Sequence, residues 1–98
     1  MSKLIRDKIP EIMKEQGAAP KVHTSSTEKY EKKLKEKLLE ESHEFIRSGE
    51  KEELADILEV IDAICVFKKI ERKEIKHIQR EKAERKGKFK KKIILEEA

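Results

Sequence analysis

Three observations predict an all-α fold for this 98-residue chain. Apolar residues recur at helical rather than alternating spacing, Ser and Gly stand where helices would start and stop, and 47% of residues are charged, which suits solvated helix faces. The expected architecture is an antiparallel hairpin of two long helices, completed by shorter helices into a bundle within a single domain, 1–98. Leu, Ile, Val and Phe make up 25 of the 98 residues, above the roughly 20% below which disorder is the default. A domain this short buries only roughly 60–65% of its unfolded surface, so a second copy is expected to finish the core, as a dimer or tetramer.

The first helix is predicted in "RDKIPEIMKEQG", with Asp7 as N-cap, Pro10 in the first turn where its missing N–H is harmless, and Gly17 as the stop. "AAPKVHTSST" lacks periodicity and reads as a loop. Ser25 followed by Glu28 resembles a capping box that opens a helix over about Glu28 to Arg47, stopping at Gly49. Leu34, Leu38 and Phe45 share its apolar face, with Leu39 and Ile46 alongside. A second long helix, about Lys51 to Lys68, carries Leu54, Ile57, Leu58, Val60, Ile61, Ile64 and Cys65 on a wide apolar arc. The short link between the two forces an antiparallel hairpin. A mostly solvated helix with a thin stripe of Ile75 and Ile78 should end at Gly87, and the tail with Phe89, Ile93, Ile94 and Leu95 should dock on the bundle or on a neighbouring subunit.

Charge is segregated along the chain. Glu36 to Asp62 holds ten acids and three bases, a local −7, whereas Lys68 to Lys92 holds thirteen bases and four acids, a local +9. An acidic centre beside a basic end suits a site that holds a cation and then an anion. With aromatics at 4% and no Trp, the stacking platforms of single-stranded nucleic-acid binders are scarce, and nucleic acid is not the expected partner. One cysteine and no long apolar run imply a cytoplasmic protein without a membrane span.

The chemistry is expected from carboxylates on the hairpin. Glu41 with Glu44, and Glu53 with Asp56, are i,i+3 pairs that each form a two-carboxylate rung, and antiparallel packing turns the rungs toward each other. Glu53 falls within the apolar arc of its helix, where a carboxylate is costly unless paired or metal-bound. Four such acids make a hard-cation site of the type Mg2+ prefers, with positions left for water and phosphates. His23, His43 and His77 lack the spacing of a metal trio, Cys65 is expected to be a buried small hydrophobe, and Tyr30 is expected to pack at a helix start.

"EESHE" at 40–44 followed by "ELAD" at 53–56 resembles the EExxE…ExxD signature of the MazG-like, all-α nucleotide pyrophosphatases. The flanks "KLIRDKIPEI" and "KAERKGKFKKKIIL" are similar to the phosphoribosyl-ATP pyrophosphohydrolase-like subgroup, so the resemblance covers nearly the whole chain. It implies a helical oligomer that binds Mg2+, or Mn2+, through Glu41, Glu44, Glu53 and Asp56. It further implies hydrolysis of a nucleoside triphosphate to the monophosphate and pyrophosphate, with Glu40 or Glu41 orienting or deprotonating the attacking water. The basic residues nearest the motifs, Lys3, Arg6, Lys8, Lys37, Arg85, Lys86 and Lys88, are the candidate phosphate binders. Only eight residues separate Glu44 from Glu53, shorter than in many members, so pairing through Glu52 or Glu59 stays open. The rival reading is a basic helical nucleic-acid-binding or non-catalytic interaction module built on residues 68–92.

Overall fold

The computed structural model describes residues 2–98 and contains four helices with, among the described residues, no strand: α1 (Ile9–Glu15), α2 (Thr27–Ser48), α3 (Lys51–Lys68) and α4 (Arg72–Lys86). The two long helices fall where the periodicity places them. Two caps differ from expectation. Ser26, not Ser25, caps α2, its Oγ accepting the Lys29 N–H at 3.4 Å. Ser25 instead donates its hydroxyl to the Ser26 carbonyl at 3.2 Å. The N-cap of α1 is Lys8 rather than Asp7, with no side-chain cap bond. The reason is local: the Arg6 carbonyl accepts the Ile9 N–H at 3.1 Å, so the chain enters α1 through a turn that supplies the acceptor Asp7 would have offered.

Gly49 and Glu50 alone link α2 to α3. Gly49 has φ +68° and donates its N–H to the Phe45 carbonyl at 2.7 Å, a left-handed cap that a side chain would strain. Ser48 Oγ accepts the Glu50 N–H at 3.1 Å and completes the reversal. Leu34 on α2 and Val60 and Cys65 on α3 are the buried apolar residues among those described, confirming Cys65 as core. At the open end, Tyr30 packs edge-to-face on Phe67 with ring centroids 5.5 Å apart, and Lys68 reaches Glu31 at 3.3 Å. Tyr30 thus packs at the helix start as its position implies.

The hairpin is not closed into a bundle by its own chain. α2 and α3 are the only helix pair with extended packing among the described residues, and α4 is tied back chiefly by an ion pair from Arg72 to Asp62 of α3. The radius of gyration is 17.5 Å, against about 13 Å for a compact chain of this length. Phe89, Ile93, Ile94 and Leu95 are each at least 75% exposed, so the tail does not dock on the hairpin of its own chain. Four lysines around Phe89 and before Ile93, Lys88 and Lys90–Lys92, favour keeping that segment in water. No helix is long and apolar enough to cross a membrane among the described residues.

Candidate functional site

Hairpin register decides which acids meet. From Tyr30 to Glu41 is eleven residues toward the turn on α2, and from Phe67 to Asp56 is eleven residues back along α3, three turns in each case. The face that pairs the aromatics at one end therefore pairs carboxylates at the other. One carboxylate oxygen from each of Glu41, Glu53 and Asp56 lies within 4.8 Å of the other two, and all three residues are half-buried. Glu52 and Glu59 are exposed and stand outside this trio.

Glu44, the fourth expected ligand, also stands outside the trio, its carboxylate held by Arg47 one turn further along α2. It remains close enough to repel Glu53. Glu53 has no basic partner among the described residues. Its carboxyl is pushed above the ordinary range by partial burial first, then by repulsion from Asp56, Glu44 and Glu41.

Basic groups close over the other acids. Lys37 Nζ lies 3.0 Å from Glu40 and 3.3 Å from Glu41, and its side chain is only 16% exposed. Burial works against the charge of Lys37, but its bonds to Glu40 and Glu41 outweigh that and hold its pKa above the usual lysine value. The Lys37 bond lowers the pKa of Glu40 against the opposing effect of partial burial, with Lys3 adding to it. Lys3 and Arg6 arrive from the non-helical segment before α1. Lys3 Nζ is 3.2 Å from Glu40, and Arg6 Nη2 donates to Asp56 Oδ1 at 2.7 Å. Lys33, which sequence reasoning did not single out, anchors the same segment by donating to the Ser2 carbonyl at 3.1 Å while pairing with Glu36 at 3.1 Å. Its i,i+4 relation to Lys37 was the available signal.

The remaining candidates lie elsewhere. Lys8 is exposed at the start of α1, and Arg85, Lys86 and Lys88 are exposed at the far end of α4, which does not pack on the hairpin. The second basic cluster is therefore not brought to the acids within one chain, because the thin apolar stripe of α4, Ile75 and Ile78, is left exposed rather than packed on the hairpin. His23, His43 and His77 are exposed, with His77 3.5 Å from Glu81.

Helical fold and site together define a two-helix hairpin with a carboxylate trio across it and a basic segment strapped over its edge. The chain matches no protein-family model, no curated protein and no solved structure.

Proposed function

We propose that this chain is a Mg2+-dependent pyrophosphohydrolase of the MazG-like kind, cleaving a nucleoside triphosphate or related nucleotide to the monophosphate and pyrophosphate. The convergence of Glu41, Glu53 and Asp56 from two helices within 4.8 Å carries the reading. The donor set suits the ion: three anionic, hard oxygens in a half-buried setting, one of them on Glu53, which has no basic partner among the described residues, match what Mg2+ or Mn2+ takes from protein. When bound, the ion supplies charge neutralisation at the phosphates and acidifies water. Glu44 stands outside the trio, with one carboxylate oxygen held by Arg47, and joins the ligands by a movement of its side chain. Glu40, committed to Lys37 and Lys3, serves to hold those lysines toward the phosphates, and Glu41, in the trio and also paired with Lys37, orients the attacking water.

The same reading makes the working form an oligomer. Leu39, Ile46 and Val66 on the hairpin and Ile93–Leu95 of the tail are exposed apolar surface that a second copy covers, completing the bundle. A pyrophosphate-release screen over nucleoside triphosphates and phosphoribosylated nucleotides, with and without Mg2+, tests the activity. Equal amounts of pyrophosphate and monophosphate, only with the metal, are expected; no release from any nucleotide refutes it.

One observation favours a second reading. The exposed basic residues of α4 and the tail, among them Arg85, Lys86 and Lys88, form a surface apart from the acids that suits a polyanion. Binding through it would weaken with salt at a log–log slope of about −0.9 per phosphate contact, and an absence of salt-dependent binding to DNA or RNA dismisses it.

A further inference from the structure

The segment before α1 lies over the acidic site without forming a helix, and polar pairs fasten it: Arg6 to Asp56 at 2.7 Å, Lys3 to Glu40 at 3.2 Å, and Ser2 to Lys33 at 3.1 Å. Five carboxylates, Glu40, Glu41, Glu44, Glu53 and Asp56, face four cations, Lys3, Arg6, Lys37 and Arg47. The site is thus nearly neutral by itself, and a divalent ion entering the trio makes one of those cations surplus. Lys37 is mostly buried and holds two acids, and Arg47 sits on the same helix as its partner. Among the described residues, Arg6 alone pairs directly with a trio oxygen from outside the hairpin, and its side chain is 55% exposed.

We infer that residues 2–8 are a displaceable strap: Arg6 occupies Asp56 in the metal-free protein and leaves it when a divalent cation binds. This rests on the metal reading proposed above. An exposed ion pair contributes little and is screened by salt, so a doubly charged ion ligated by three carboxylates outcompetes it. Release opens the cavity of about 450 Å³ between the strap and α2, lined by Leu4, Lys33, Glu36 and Lys37 among others. It also frees a guanidinium whose planar fork suits phosphate oxygens.

The test uses the full chain and Mn2+ alone. Isothermal titration of wild type, Arg6→Gln and Lys8→Gln is combined with tryptic cleavage after Arg6, timed with and without Mn2+ against cleavage after Arg80. Arg6→Gln is expected to bind Mn2+ about 3- to 10-fold more tightly, Lys8→Gln to match wild type, and Mn2+ to speed cleavage after Arg6 in wild type. If Arg6→Gln and wild type bind alike, or cleavage after Arg6 ignores Mn2+, the strap is overturned and the metal centre stands. Equal tightening in both variants reduces the effect to general charge and also overturns it. Failure of wild type and Arg6→Gln to bind Mn2+ overturns the metal reading and the strap with it.

Discussion

Asp56→Asn separates a metal ligand from a surface acid, because its effect should depend almost wholly on Mg2+. Without metal, the substitution removes the 2.7 Å pair with Arg6, worth about 0.2–1 kcal/mol between groups this exposed. It also relieves repulsion from the neighbouring trio carboxylates within 4.8 Å, worth about 1 kcal/mol at the dielectric of water. The two oppose each other, so melting in EDTA should change by less than about 1 kcal/mol. With Mg2+ at 100 times the wild-type Kd, wild type gains about 2.7 kcal/mol, and a domain of this size then melts roughly 10–20 °C higher. Losing one of three carboxylates should weaken binding at least as much as the ~100-fold attributed to outer-shell changes. At the same Mg2+ concentration the variant then gains only about 0.4 kcal/mol, or roughly 2–3 °C. Thermal melts of both proteins in EDTA and in Mg2+ measure all four states. An equal Mg2+-induced rise in wild type and Asp56→Asn would refute the trio as a metal site.

Glu53→Gln should stabilise the metal-free protein at neutral pH while abolishing Mg2+-dependent turnover. The sign follows from its raised pKa: the stability Glu53 contributes is present below its ordinary value of 4.5 and is lost as pH rises through the higher folded value. The advantage of Gln therefore grows with pH, and identical behaviour of Glu50→Gln in melting and pyrophosphate release would sink the assignment. Leu34→Ala should cost about 2–5 kcal/mol in urea melts, since Leu34 is 2% exposed at the hairpin centre. Leu39→Ala, on the outer face, should cost less than about 1 kcal/mol in a monomer and more if a second copy covers it. Sedimentation should show a species larger than 11.5 kDa at micromolar concentration, and a purely monomeric boundary contradicts assembly through the exposed apolar surface.

Helix positions were legible from the sequence because they depend on interactions within a few residues. The apolar spacing of Leu34, Leu38 and Phe45, the two-residue link at Gly49 and the i,i+3 acid rungs all act over one or two turns, and the link leaves the antiparallel hairpin as the one arrangement. The exact N-caps were not legible, since Ser25 and Ser26 carry the same chemistry one position apart. Three of the four expected ligands meet, because both rungs ride on the hairpin that the periodicity specifies. What only the tertiary structure decided is where the long cationic side chains go. Lys3 and Arg6 come from a segment with no periodic signal, and whether they point to water or to Glu40 and Asp56 depends on how the chain before α1 crosses the hairpin. Likewise the tail and α4 hold enough apolar residues to suggest docking. Their stripe is too thin to offset the ordering of so charged a segment within one chain, and local spacing carries no term for that balance.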